Sequence, residues 1–316
     1  MLSIRPFEGA DVESAGLLLA ARHRRERALH PLLPAIYDDP GAAADAVREV
    51  FAAEDASGAV AERDGRMVGY LVGAPKSDAS WGSNVWVEGP GVAAEDEEDA
   101  RDLYAAAAAG WVAEGRVAHY VLVPAGDPLE RAFYRLAFGH QHTHAIMPTP
   151  SAVQVDACVR RARRSDIPAL ARLEVSLPEH LRRSPVFSSV PVPTLAEVVA
   201  EYEGDFDDPD FATFVTEVDG VVVGSAIGSP IEKSGMHKGL TRPDGAGLLG
   251  FAAVLPEARG RGLGRRLGDA VLAWCHERGY PSVVTDWREA NLEASRAWRA
   301  MGFTPTYTRL HRLVGH

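Results

Sequence analysis

Between Val254 and Leu267 the chain reads Val-Leu-Pro-Glu-Ala-Arg-Gly-Arg-Gly-Leu-Gly-Arg-Arg-Leu, with glycines at Gly260, Gly262 and Gly264 and arginines at Arg259, Arg261, Arg265 and Arg266. A strand is expected before it, over Leu248 to Val254. A helix is expected after it, over Leu263 to Arg278, from the apolar spacing of Leu267, Val271, Leu272 and Cys275. A strand-to-helix turn of this kind aims several backbone N–H groups at one point, at the positive end of the helix, and so makes an anion site. Glycine permits the φ angles such a turn needs and lets a phosphate come close where a Cβ would obstruct it. The guanidinium groups add charge-assisted bonds. A Walker loop would need Gly-Lys-Ser/Thr, and a dinucleotide fingerprint would space its glycines as G-x-G-x-x-G; this stretch has neither.

The elements that position this turn belong to an internal repeat. Ile4-Arg5 followed by Asp11-Val12 resembles Val159-Arg160 followed by Asp166-Ile167, at a shift of 155 residues. At the same shift, Glu62 to Pro75 matches Glu217 to Pro230 with seven identities in fourteen positions. Trp111 to Gly115 parallels Trp274 to Gly279, and Arg131-Ala132-Phe133 with Phe138 parallels Arg296-Ala297-Trp298 with Phe303. Two copies of one fold, 1–150 and 151–316, are therefore expected, joined near Pro148-Thr149-Pro150, where prolines favour an extended connector. In the second copy a strand over 159–162 leads through Ser165-Asp166 to a helix with apolar residues at Ile167, Leu170 and Leu173. Two β-rich runs, 211–218 and 221–228, flank Asp219-Gly220, a strong hairpin signal. A strand from Ser282 to Trp287, a helix from Leu292 to Met301 and a strand from Thr304 to Leu313 complete it. The expected fold class is α/β (α+β): in each copy a mixed, mostly antiparallel sheet flanked by helices.

Composition bounds the rest. The chain has 316 residues, 46% apolar and 24% charged, as expected for soluble globular domains, and its length suits two of them. No apolar run reaches the roughly 20 residues of a membrane span, and the first residues lack a signal-peptide layout, so the expectation is a cytoplasmic protein that makes no membrane contact. The net charge is −11. Residues 1–150 hold 13 Lys and Arg against 23 Asp and Glu, while 151–316 hold 20 against 21. So acidic a first half repels nucleic acid and favours a cationic acceptor. Cys158 and Cys275 read as ordinary thiols. His140, His142 and His144 alternate along one strand face without the further ligands a zinc site needs, and Asp205 to Asp210 lacks the glycine and glutamate of a calcium loop, so no metal is expected.

The pattern R-x-x-G-x-G at Arg259 to Gly264, with Val254-Leu255-Pro256 ahead and Leu267 behind, resembles the acetyl-CoA loop of the GCN5-related N-acetyltransferase (GNAT) family. Asn291, Ala294, Trp298, Gly302 and Phe303 extend the likeness to that family's N-x-x-A-x-x-x-Y-x-x-x-G-F. The resemblance implies acetyl-CoA as co-substrate, with the backbone at Ala253 and Val254 on the pantetheine arm. The amides of Arg259, Gly260, Arg261, Gly262, Leu263 and Gly264, with Arg265 beside them, would hold the diphosphate. Asn291, Ser295 and Trp298 would lie near the thioester. It implies direct attack by a primary amine, from a small-molecule acceptor, on the bound thioester. The departure is Trp298, where the family has a tyrosine acid: indole does not donate a proton comparably. Ser295 and Tyr307 are then the candidate acids, with water-assisted departure of the thiolate as the alternative. Asp286, Glu232 and His237 are the candidate bases. A CoA-binding sensor without catalysis is the competing reading.

At the equivalent place in the first copy the chain reads Ala94-Glu-Asp-Glu-Glu-Asp-Ala-Arg101. Five consecutive carboxylates repel a phosphate, and no glycine lets one approach. The first copy is expected to be a degenerate GNAT-like domain without a phosphate loop, a packing partner or wall for the acceptor site. With two copies fused, either a monomer or a homodimer fits.

Overall fold

The computed structural model describes residues 1–78 and 81–315. The chain order is β1 (Leu2–Pro6), α1 (Val12–Leu29), α2 (Pro40–Phe51), β2 (Ser57–Arg63), β3 (Arg66–Gly73), β4 (Asn84–Val87), β5 (Val92–Ala94), α3 (Glu97–Ala113), β6 (Ala118–Pro124), α4 (Pro128–Arg135) and β7 (Gly139–Pro148). The succession then recurs, with no strand among the described residues in the place of β4, as β8 (Val159–Arg161), α5 (Ile167–Leu181), α6 (Leu195–Asp205), β9 (Ala212–Val218), β10 (Val221–Pro230), β11 (Gly247–Val254), α7 (Leu263–Glu277), β12 (Ser282–Arg288), α8 (Leu292–Met301) and β13 (Thr304–Leu313). This is the mixed α/β architecture expected from the sequence.

The duplication is visible in side-chain geometry. Arg5 donates from Nε to Glu62 Oε1 at 3.0 Å and from Nη1 to Asp11 Oδ2 at 2.7 Å. Arg160 donates from Nε to Glu217 Oε1 at 3.0 Å and from Nη1 to Asp166 Oδ2 at 2.7 Å. In both copies one arginine thus ties the first strand to the hairpin and to the turn that starts the first helix, where the aspartate also accepts a backbone N–H, from Glu8 or Arg163. The hairpins match too: Asp64-Gly65 and Asp219-Gly220 all have φ between 52° and 77°, the left-handed pair a tight two-residue connection requires.

Two compact units result. One comprises Met1–His144, Lys238–Arg242 and the residues from Pro305 onward; the other comprises Ala145–His237 and Pro243–Thr304. Packing therefore departs from the sequence repeat at the end of the chain. The strand β13 pairs antiparallel with β6 in the first unit, Tyr307 opposite Pro124 and Leu313 opposite Ala118. There Leu310 and Tyr307, both fully buried, enter the two cores on either face of the sheet. One core is built on α3 and α4 with Leu103, Trp111 and Phe133, the other on α1 and α2 with Leu19 and Val47.

In the second unit the strand order is β12-β11-β10-β9-β8. Leu267, Val271, Trp274 and Cys275 of α7 pack on one face with Trp287, Trp298 and Phe303. Helix α5 packs against β10 and β11. Close approach of α7 to the sheet depends on small residues beneath it, since a Cβ at Gly247 would lie 2.5 Å from Cys275 Sγ.

Candidate functional site

The glycine-rich turn is positioned by a strand that leaves its neighbour. β11 pairs with β10 from Gly247 to Val254, but with β12 only at Gly247↔Val283 and Leu248↔Val284. The register on β10 jumps between Ile227 and Gly228, which face Phe251 and Leu249, so Gly250 is an extra residue in β11. A bulge bends the strand that carries it, and beyond this one β11 and β12 separate. Residues Phe251 to Val254, although interior to the strand order, are only half-buried.

The alternation of an antiparallel ladder decides which groups face the opening. Leu255 N–H donates to Val223 O at 2.8 Å. Ala253 and Phe251 therefore spend their backbone groups on β10, and the N–H and C=O of Ala252 and Val254 point to the free edge. This corrects the sequence expectation for Ala253: the edge residues are Ala252 and Val254.

The turn itself is exposed at Gly260, Arg261 and Gly262. Gly260 and Gly262 have φ of 76° and 74°, and a Cβ on either would meet nothing within 4 Å. The backbone conformation, and not crowding by the protein, requires glycine there, and the space above the turn is free. Gly262 is the N-cap of α7 without a side-chain cap, and the first turn of that helix carries no acidic residue. The N–H groups of Leu263, Gly264 and Arg265 thus have no intrahelical acceptor and lie at the positive end of a 15-residue helix. Arg261 and Arg265 are exposed beside them, while Arg266 turns to Asp156 at 3.4 Å and to Cys158 Sγ at 3.5 Å. Arg259 turns inward, donating from Nε to Val254 O at 3.1 Å.

Asn291 caps α8, its side chain accepting from Ala294 N–H at 3.4 Å, and it is 8% exposed. The motif asparagine is therefore first a helix cap; among the described residues its amide N–H groups have no acceptor. Ser295 does not offer a free proton: its hydroxyl donates to Glu289 Oε1 at 3.0 Å. Glu289, a residue the sequence motif did not single out, also accepts from Trp287 Nε1 at 2.8 Å and from Arg299 at 3.2 Å, which ties the end of β12 to α8. Trp298 is buried in the core against Phe303, over Gly268, whose Cβ would stand 3.3 Å from the indole.

Tyr307 as a candidate acid is also corrected. It lies in the first unit, fully buried, with its hydroxyl donating to Glu26, and burial raises its pKa well above the ordinary phenol value.

Of the candidate bases, Glu232 is exposed, Asp286 half-buried on β12 and His237 buried. Ser234 Oγ accepts the N–H of Met236 and of His237 and lies 3.1 Å from His237 Nδ1, which fixes the ring. Burial lowers the imidazole pKa, with the charge of Asp286 opposing it, so at neutral pH the ring is uncharged. Among the described residues no group of three or more His, Cys, Asp and Glu is placed to hold a metal. His142 and His144 are buried in β7, and His140 lies 2.8 Å from Thr143 Oγ1.

The first copy lacks both halves of this arrangement. Gly69↔Ala94 on β3 and β5 corresponds to Gly224↔Val254, yet only Glu95 and Asp96 separate β5 from α3. Asp96 caps α3, accepting Glu98 N–H at 2.8 Å, and Glu97, Glu98 and Asp99 fill its first turn. The helix end is thus supplied with the protein's own carboxylates. The strand edge is taken as well. Arg22, 1% exposed, donates to Val92 O, the counterpart of the edge carbonyl of Ala252, and is held by Glu26 at 2.6 Å.

Residues 172–303 match the model of the acetyltransferase (GNAT) family. The whole chain is similar in fold to a GCN5-related N-acetyltransferase from Sphaerobacter thermophilus, with 17% identity, TM-score 0.56, and coverage of 98% of this chain and 95% of that one. It is similar also to a tandem GNAT protein from the clavulanic acid biosynthesis pathway, with 18% identity, TM-score 0.51, and coverage of 100% and 99%. A glucosamine N-acetyltransferase region of a fungal multi-domain enzyme matches with 13% identity and TM-score 0.55, over 99% of this chain and 38% of that one. No curated protein sequence matches. The mixed sheet with its splayed strand and glycine turn is thus the GNAT fold. The chain carries a GNAT-family domain in its second half and, as a whole, has the tandem form of the GNAT fold.

Proposed function

We propose that the second copy, 151–316, is an acetyl-CoA-dependent N-acetyltransferase that acetylates a primary amine of a small molecule, and that the first copy, 1–150, binds no CoA. The observation that carries this reading is the continuity of the open edge of β11 with the uncapped N-terminus of α7 through Gly260 and Gly262. The pantetheine arm would lie along Ala252 and Val254, its amides bonded to their backbone groups. The diphosphate would sit on the N–H groups from Gly260 to Arg265, with Arg261 and Arg265 adding charge. Asn291 would offer its amide N–H groups beside the thioester.

The acceptor amine attacks the thioester carbonyl; its nitrogen loses a proton and the thiolate departs. Uncharged His237, with Asp286 near enough for its charge to be felt, supports the role of base. With Ser295 bonded to Glu289, Trp298 in the core and the buried Tyr307 hydroxyl bonded to Glu26, the reading leaves the thiolate to depart with solvent's help. The same three placements favour the second reading, a CoA-binding module without turnover. Calorimetry with CoA, followed by free-thiol release from acetyl-CoA across a panel of amines, separates them. Binding with amine-dependent thiol release supports the enzyme, and binding with no release above background on any amine supports the module.

A further inference from the structure

The first unit carries a group of aromatic and charged side chains that the proposed reaction does not use. In the order β4-β6-β13, Trp86 stands opposite Tyr120 and Tyr120 opposite His311. Side chains directly opposite each other share a face of the sheet, and these stack. Trp86 lies on Tyr120 with centroids 4.4 Å apart and 12° between the planes, and Tyr120 on His311 at 4.7 Å and 24°. Trp81, in the connection that enters β4, stands edge-on to Trp86 and Tyr120 at 5.0 and 5.4 Å. Buried Arg309 lies 5.4 Å from the Trp86 ring, its Nε donating to Gln141 Oε1 at 2.8 Å.

One ammonium already sits in this group. Ala74 exchanges two backbone hydrogen bonds with Trp86, at 3.0 and 2.8 Å, and Asn84 holds the backbone of Lys76 through its N–H and C=O. Lys76 Nζ thereby comes to 3.7 Å from the centroid of the Trp86 ring and pairs with Glu88. Trp86 is only 4% exposed, whereas the side chains of Lys76 and Glu88 are 41% and 38% exposed. A solvated ion pair of that kind exchanges readily, so Lys76 is a movable cover on a buried indole. Trp86 Nε1 is buried without a hydrogen-bond partner. An ammonium has three donors and no acceptor. Lys76 therefore answers the ring face and Glu88 but leaves the indole N–H unmet, which is costly in a buried place.

We propose that Trp81, Trp86 and Glu88 form a binding site for a primary ammonium with a neighbouring oxygen acceptor, an amino alcohol in chemical class, and that Lys76 fills it when no ligand is present. The ligand ammonium takes the place of Lys76 Nζ on the indole face and at Glu88, in the same field of Arg309 that Lys76 tolerates. The ligand oxygen accepts the N–H of Trp86 that Lys76 leaves unmet. The site lies wholly in the first unit and does not depend on CoA binding by the second.

The test is titration of the full chain, without CoA, with 2-aminocyclohexanol and with cyclohexylamine, which lacks only the hydroxyl, followed by tryptophan fluorescence. Wild type should bind both saturably and prefer the amino alcohol about fivefold, the scale of one hydrogen bond. Lys76→Ala, which uncovers the ring, should bind both about threefold more tightly. Glu88→Gln should weaken both about threefold, the scale of an exposed ion pair. Trp86→Phe keeps a ring and removes the N–H, and should erase the preference between the two amines. Should Trp86→Phe fold poorly, the substitutions at exposed Lys76 and Glu88 still decide. No saturable change in wild type, or binding that Lys76→Ala and Glu88→Gln leave as it was, overturns the site. Either result leaves the CoA reading of the second unit intact.

Discussion

Arg22 of α1 and Leu177 of α5 occupy the same place in the two copies, 155 residues apart, and only Arg22 reaches the carbonyl of the strand beside it. Glu26 and its counterpart Leu181 repeat the difference. One copy has closed its strand edge with a buried ion pair; the other has apolar residues there and an open edge. Divergence after duplication has thus left one unit with an open strand edge and one that fills the same position with its own side chains.

The buried pair makes stability depend on acid. Burial pushes the Glu26 carboxyl up, but the charge of Arg22, the nearby His23 ring and a hydrogen bond from Tyr307 outweigh it and hold the pKa at about 2, against an ordinary 4.5. A depressed carboxylate stabilises fully above its unfolded pKa, and that contribution is lost as pH falls from 4.5 towards 2. Glu26→Gln should flatten this part of the stability curve in denaturant titrations. At neutral pH it should cost on the order of 3–5 kcal/mol, because Arg22 is left buried without a counter-charge.

Tyr307→Phe should destabilise the fold by about 1–3 kcal/mol through the acceptor it leaves on Glu26. Transfer per folded molecule should be unchanged. A large loss of kcat with normal stability would return Tyr307 to the chemistry.

Asn291 has two separable roles. Asn291→Asp keeps an N-cap acceptor but loses the amide donor, so thermal stability should hold while acetyl-CoA binds more weakly. Asn291→Ala should lose about 0.5–2 kcal/mol of stability in addition. If Asn291→Asp binds as well as wild type, the asparagine is a cap alone.

His237, with its pKa lowered by burial, should place the enzyme's acid limb below pH 6.5, apart from the limb at higher pH that the acceptor amine's own deprotonation contributes. The profile of kcat/KM against pH checks this, and His237→Gln should abolish the acid limb. An acid limb that survives the substitution assigns the base elsewhere. Ser295→Ala should change kcat little, since the hydroxyl is already bonded to Glu289.

Much of the fold is legible in local chemistry. The helix from Leu292 to Met301 and the strand from Thr304 to Leu313 lie where periodicity places them, and Asp219-Gly220 makes the expected turn. The glycine turn is also legible, because positive φ leaves few alternatives to glycine. What sequence does not reveal depends on partners distant along the chain. An alternating strand such as β13 carries no mark of the unit it will join, so the sequence gives no sign that Tyr307 enters the core of the first unit. A single glycine, Gly250, gives no sign of being a bulge until its partners on β10 are known. Motif spacing also says nothing of where a long side chain points, so Arg259 turning inward and Glu289 gathering three donors emerge only in the folded chain.

One experiment bears most directly on the central claim: the stoichiometry of CoA binding by calorimetry, for wild type and for Gly262→Val. The wild type should bind one equivalent per chain. The substitution, which forces a β-branched residue to φ of 74° in an otherwise open space, should abolish binding while the protein remains folded. Two equivalents per chain, or undiminished binding by a folded Gly262→Val protein, would contradict the assignment of the site to the turn at the start of α7.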